Sequence, residues 1–261
     1  MKPSSVFPKS SLFGLDICAV SQDQAVAQLL LLAQGRTGPP AVVVTPNVDH
    51  LVRLDADAAL QKVYAQADYI FADGMPLVWA SRKSVTPLPE RVTGADLFVA
   101  LAHACALAQL PVVVIGGLPG QEQMLTQAFA RVYPGLPLEL YCPSMQFDPL
   151  GAEGMEALRR VNAVRPAIVF VCLGMPKQER WAMAQRQHMQ AGVVMCVGAA
   201  MEFALGFKAR APKWMQKSGL EWTWRLASEP RRLWRRYIVQ GSRFVGLLRR
   251  EWQQQRIRNT N

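Results

Sequence analysis

The sequence lacks most of the features that assign a chemistry outright. Its five cysteines (Cys18, Cys105, Cys142, Cys172 and Cys196) form no CxxC pair, and three of them sit in or beside apolar runs. That excludes a disulfide-stapled small domain and reads as buried free thiols in a reducing compartment. The three histidines, His50, His103 and His188, are too scattered to suggest a metal site. There is no GxxxxGK[ST] loop, which argues against a P-loop NTPase. No GxGxxG follows the first long apolar run, which argues against a dinucleotide oxidoreductase. GxSxG and HExxH are also absent. No run of roughly 18 uncharged apolar residues occurs, so no membrane-spanning helix is expected. Lys2 and Lys9 are not followed by the apolar stretch of a signal peptide.

Acidic residues are scarce in one place only. Residues 1–207 carry 15 Lys+Arg and 16 Asp+Glu, whereas residues 208–261 carry 14 Lys+Arg and only 3 Asp+Glu. The net charge of +10 therefore belongs to the last fifth of the chain. A near-neutral body with a basic tail points to an appendage that meets an anionic surface, a diphosphate or a nucleic acid. With 261 residues and 51% hydrophobic content, the body can build a core without metal or disulfides.

What is present is an alternation. Short, largely β-branched apolar runs lie at 41–45, 69–72, 112–115, 138–141, 167–173 and 193–197. Helical patterns fill the intervals at 23–34, 56–67, 95–108, 121–132, 154–164 and 177–190, and residues 12–20 suit a small hairpin. The apolar runs have too little polar alternation for a half-exposed sheet. The expected fold is α/β, a Rossmann-like, mostly parallel sheet with helices on both faces. Residues 1–206 make the expected catalytic domain and 207–261 a basic helical appendage. From Pro230, Trp234, Tyr237, Ile238, Phe244, Val245, Leu248 and Trp252 share one face of a helical wheel, with Arg232, Arg236, Arg243 and Arg250 opposite. Such a basic amphipathic helix suits an anionic membrane interface. The competing reading packs it on the protein's own core with a solvated arginine face.

Most apolar runs end in small or polar residues: Thr45-Pro46-Asn47, Asp73-Gly74, Gly116-Gly117, Gly174-Met175-Pro176 and Gly198-Ala199. Ligands of open α/β sheets bind beyond the carboxyl ends of the strands, where glycines allow close backbone approach. Tight packing turns are the plainer explanation for any single one of them. Asp73 is the most suggestive acid, placed either as a general base or as a helix N-cap. Asp55-Ala56-Asp57 has the DxD form of metal-dependent glycosyltransferases, but it precedes a helical pattern and reads as capping.

Six segments carry a resemblance: FADGMPLVWASR, RVTGADLF, VIGG, LGMPKQERW, VGAAMEF and RAPKWMQKSGLEWTWRLASEPRRLWRRY. In order and spacing they are similar to the WecG/TagA/CpsF glycosyltransferase family, from about residue 12 to about residue 240. The resemblance implies transfer of a sugar from a UDP-sugar to a polyprenyl-diphosphate-linked sugar. It implies a peripheral enzyme at the cytoplasmic face of a bacterial membrane, with no metal or other cofactor. It implies Asp73 as catalytic base. Thr45, Asn47, Arg91 and Gln178 fall at donor or substrate positions, with Gly116, Gly117 and Gly198 in the glycine turns. Arg225, Arg232 and Arg235 fall at the appendage arginines for the lipid diphosphate. The family's last turn often reads GAxFDF; here it is Gly198-Ala199-Ala200-Met201-Glu202-Phe203, which keeps an acid before Phe. The alternative class is a nucleic-acid-binding α/β protein that grips phosphates with the tail. The apolar face opposite the arginines favours lipid over duplex, so no nucleic-acid partner is expected. Homo-oligomer formation through the tail is left open.

Overall fold

The computed structural model describes residues 7–35, 38–212, 214–215, 220–228 and 230–260. The side chains of residues 222, 225, 228, 230–240 and 258–260 lie outside that description. The chain opens with a hairpin, β1 (Lys9–Leu12) and β2 (Leu15–Cys18). Its two turn residues, Phe13 and Gly14, have φ of 54° and 73°, the conformation that matches the right-handed twist of paired strands.

Six strands follow: β3 (Ala41–Val44), β4 (Tyr69–Ile70), β5 (Val112–Gly116), β6 (Leu138–Tyr141), β7 (Ile168–Cys172) and β8 (Val193–Cys196). They form one sheet in the order β4-β3-β8-β7-β5-β6, and every pairing is parallel. This is the Rossmann-like α/β fold that the alternation predicts. Strand faces alternate between two cores. Val42, Val44, Val113, Ile115, Val169, Val171 and Val194 point to one. Val43, Val112, Val114, Ile168, Phe170, Val193 and Met195 point to the other. Both faces are dry because both are covered, and each fully buried Val or Ile contributes roughly 1.5–3 kcal/mol.

The first face is covered by α2 (Val48–Ala56), α3 (Ala58–Tyr64), α4 (Met75–Ser81), α7 (Ala152–Val164) and α8 (Lys177–Gln185). The second is covered by α1 (Gln22–Gly35), α5 (Gly94–Leu107), α6 (Glu122–Val132) and α9 (Ala200–Ala204). The expected helix at 56–67 is two helices. Asp57, at φ −133° and ψ 92°, ends α2 and caps α3, accepting from the Leu60 N–H at 2.9 Å. Capping thus accounts for half of the DxD pattern, while Asp55 lies in α2 and pairs with Arg250 at 2.7 Å. Cys18, Cys105, Cys142 and Cys196 are buried free thiols, and Cys172 is half-buried.

Two further helices end the chain, Glu221–Ser228 and Pro230–Thr260. Pro230 takes the first helical position, where its missing N–H has no partner to lose. The latter half of the last helix lies on α2 and α4. Phe244 and Leu247 enter the first core, and Phe244 meets Phe13 of the hairpin turn at 5.9 Å between ring centroids. Glu251, 3% exposed, accepts from the Phe13 N–H at 2.7 Å, and Trp252 donates to the Ala80 carbonyl at 3.3 Å. The inward face therefore differs from the wheel. Val245 is exposed, and Leu247, Glu251 and Gln255 are buried instead, because the groove offers the Phe13 N–H as a polar partner. Arg243, Arg249 and Arg250 face solvent. Among the described residues, no helix is long and apolar enough to cross a membrane.

Candidate active site

Because all six strands are parallel, their carboxyl ends gather along one edge of the sheet. β5 leads outward to β6 while β7 leads back to β8, so the connections diverge between β5 and β7. Asp73 follows β4 at this edge. Its backbone N–H donates to the Pro46 carbonyl at 2.9 Å, which holds it beside the end of β3. The helix after it is capped by Gly74, at φ 133°, so Asp73 is not that cap. Its carboxylate instead accepts from the N–H of Gly94, the first residue of α5, at 3.3 Å. The half-buried carboxylate thus lies at the positive end of a 14-residue helix.

Gly94 allows this approach. A Cβ there would lie 2.8 Å from Thr45 Oγ1 and 3.3 Å from Val197. Thr45, Asp73, the start of α5 and the Val197-Gly198 turn are consequently packed together. Thr45 is 4% exposed. Asn47 caps α2, accepting from the His50 N–H at 3.2 Å.

The glycine turns divide into two kinds. A Cβ on Gly116 would meet Cys172 Cβ at 2.7 Å, and one on Gly117 would meet Leu125 at 2.6 Å. These two glycines serve the packing of β5 against its neighbours. Gly174 and Gly198, at φ 77° and 55°, have open space where a Cβ would stand. Gln178 joins those two turns: its Oε1 accepts from the Gly174 N–H at 3.2 Å and the Gly198 N–H at 3.0 Å.

Charge is organised around the start of α5. Arg91 donates to Glu221 at 3.1 Å and lies 3.9 Å from Asp96. Arg210 donates to Asp96, and Lys208 pairs with Glu202. Asp96 is itself fixed by Thr93, whose hydroxyl donates to it at 2.7 Å and accepts from its N–H at 3.1 Å. Burial pushes the Asp96 carboxyl up, but hydrogen bonds from Arg210 and Thr93 and the charges of Arg210 and Arg91 outweigh it, so it titrates below its usual range. Burial works against the Arg210 guanidinium, and Asp96, Glu221 and Asp73 more than offset it. Tyr64 is fully buried and shares a 3.2 Å hydrogen bond with His50 Nδ1. Burial, then Glu179, Cys196 and Asp73, raise its phenol well above its usual value.

The structure thus brings Thr45, Asn47, Asp73, Arg91, Gln178 and Gly198 to one edge and assigns Gly116 and Gly117 to packing. The side chains of Arg225, Arg232 and Arg235 lie outside the described residues. Three residues of the quoted motifs gain roles that motif reading missed: Asp96, Arg210 and Glu179. Thr93-Gly94-Ala95-Asp96 before an apolar run is a capping signature, which makes Asp96 legible. Nothing in the sequence pairs it with Arg210. Among the described residues, no group of three or more His, Cys, Asp and Glu side chains is placed to hold a metal ion.

A parallel α/β sheet that gathers a carboxylate, open glycine turns and arginines at the carboxyl ends of its strands has the layout of a Rossmann-like enzyme. The Glycosyl transferase WecG/TagA/CpsF family matches residues 10–258, and the chain belongs to it: the enzyme is a glycosyltransferase. The chain is similar to the N-acetylglucosaminyldiphosphoundecaprenol N-acetyl-beta-D-mannosaminyltransferase of Staphylococcus aureus (strain MW2). The two are 25% identical over 227 residues, 87% of each chain.

Proposed function

We propose that the enzyme transfers N-acetylmannosamine, or a related hexose, from its UDP-sugar to N-acetylglucosamine on a polyprenyl diphosphate. In this reading the transfer proceeds with inversion and without a metal. The acceptor hydroxyl oxygen attacks the anomeric carbon and its proton passes to Asp73. The bond from that carbon to the UDP oxygen breaks, and the electron pair leaves with the β-phosphate. Charge develops on that phosphate, so fixed donors and cations are needed there. The arginines around Asp96 and the α5 N-terminus are candidates for that work. The observation that carries the reading is Asp73, half-buried at the strand edge and held by the Gly94 N–H rather than spent as a cap.

The basic tail supports docking at the inner face of the cytoplasmic membrane. Phe207 and Trp214, 47% and 63% exposed, stand near its start. Aromatic and basic residues in that proportion suit an anionic lipid interface. The peripheral location brings the site to a lipid-linked acceptor.

The test is transfer from UDP-N-acetylmannosamine to a polyprenyl-diphosphate-linked N-acetylglucosamine in chelator, with the product's anomeric configuration read by NMR. Other UDP-hexoses run in parallel. Asp73→Asn is expected to lose transfer and keep UDP binding by calorimetry. Normal turnover by that variant removes Asp73 from the base role. Tight binding to a DNA duplex without UDP or vesicle binding supports the nucleic-acid alternative.

A further inference from the structure

Gln178 and Glu179 are consecutive residues of the first turn of α8, 1% and 0% exposed. One amide oxygen, Gln178 Oε1, accepts from two turns that follow two different strands. The other end of that amide, Nε2, donates to Glu179 Oε1 at 2.9 Å. An amide has two orientations, and here only one satisfies its neighbours. Flipped, it would aim an NH2 group at two N–H donors and an oxygen at a carboxylate. The two N–H donors and Glu179 therefore favour the same orientation, and Glu179 holds the far end of the amide while the Gly174 and Gly198 turns are tied together.

The arrangement is expensive. Glu179 Oε2 is buried and has no hydrogen-bond partner among the described residues. A buried, half-satisfied carboxylate is a poor stabilising device, and an apolar side chain of similar volume would pack there with less penalty. What Glu179 does supply is the acceptor that anchors Gln178 Nε2. The two tied glycines have open space where a Cβ would stand, and Val197, next to Gly198, lies against Gly94, whose N–H holds Asp73.

We propose that Glu179 is a positioning residue: by fixing the Gln178 amide it sets the spacing of the Gly174 and Gly198 turns that face the donor. Which ligand those turns meet rests on the glycosyltransferase reading above; the tie itself does not.

The test reads both parts separately. Hydrogen exchange at the Gly174 and Gly198 amides is measured in the full-length protein, alongside calorimetric affinity for UDP and the donor KM. In Glu179→Leu the two amides are expected to exchange about tenfold faster and UDP to bind about tenfold more weakly, the scale of one lost hydrogen bond. Glu179→Gln, whose side-chain oxygen still accepts from Gln178, is expected to rescue both. Glu179 acts through Gln178, so Gln178→Leu combined with Glu179→Leu is expected to bind UDP no worse than Gln178→Leu alone. Unchanged exchange in Glu179→Leu, equal losses in Glu179→Gln, or additive losses in the double variant overturn the proposal. If Glu179→Leu does not fold, Glu179→Ala takes its place: faster exchange at the two amides and weaker UDP binding, both restored in Glu179→Gln, uphold the proposal, and wild-type values in Glu179→Ala overturn it. Failure of the wild-type protein to bind UDP sinks the donor reading while the exchange arm still judges the tie.

Discussion

Raising the pH should weaken this fold through Glu179, and the size of the effect follows from its surroundings. Burial pushes the Glu179 carboxyl up to about 7 from an ordinary value of 4.5, against the opposing hydrogen bond from Gln178 and the charge of Arg53. The folded protein then holds this proton more tightly than the unfolded chain does. Its contribution to stability is fully present below about pH 4.5, declines as pH rises, and is gone above about pH 7. The gap between those two values corresponds to roughly 3 kcal/mol. Glu179→Gln carries no such proton, and the other titrating groups cancel when the variant is compared with the wild type. Calorimetric melting of both proteins between about pH 5 and pH 8 should show the variant gaining on the wild type as pH rises. At about 2 °C per kcal/mol for a chain of this size, the gap in Tm should widen by about 6 °C. A gap that stays flat across that range would refute the reasoning, because Glu179 would then not titrate where its burial places it.

Two other perturbations test the scaffold. Gly94→Ala puts a methyl group 2.8 Å from Thr45 Oγ1 and 3.3 Å from Val197, so Thr45, Val197 or the start of α5 that holds Asp73 must shift. Overpacking of this kind costs about 1–3 kcal/mol, and turnover is expected to fall at least as visibly as Tm; unaltered turnover would show that the α5 N-terminus has no part in the chemistry. Glu251→Ala strips the Phe13 N–H of its acceptor on the latter half of the last helix. Leaving that donor unpaired costs about 1–3 kcal/mol, and exchange of the Phe13 amide should accelerate, whereas an unchanged rate would mean that the helix is not anchored there.

The strands were legible because continuous β-branched runs leave no polar face to present to water, so each had to lie in a covered parallel sheet. All six appear within a residue or two of their expected bounds. The hairpin was legible in part: residues 12–20 take in the turn and β2, whereas β1 begins at Lys9. The Val48–Ala56 helix was not legible. Its residues follow closely on a strand, and the Asp57 cap was read as opening the next helix without showing that it also ends this one. Motif resemblance picked out Asp73 and Gln178 but assigned no geometry. The sequence by itself determined the sheet, the two covered faces, the basic tail and the identity of the acid at the strand edge, because periodicity, charge and motif are local properties of the chain. Tertiary structure alone decided the rest, because each contact joins residues distant in sequence. It decided that Asp73 is held by α5, that Arg210 reaches Asp96, and that Gln178 ties two glycine turns. It also decided that the last helix turns Leu247 and Glu251 inward rather than Val245, since the shape of the groove and one unpaired N–H select the face.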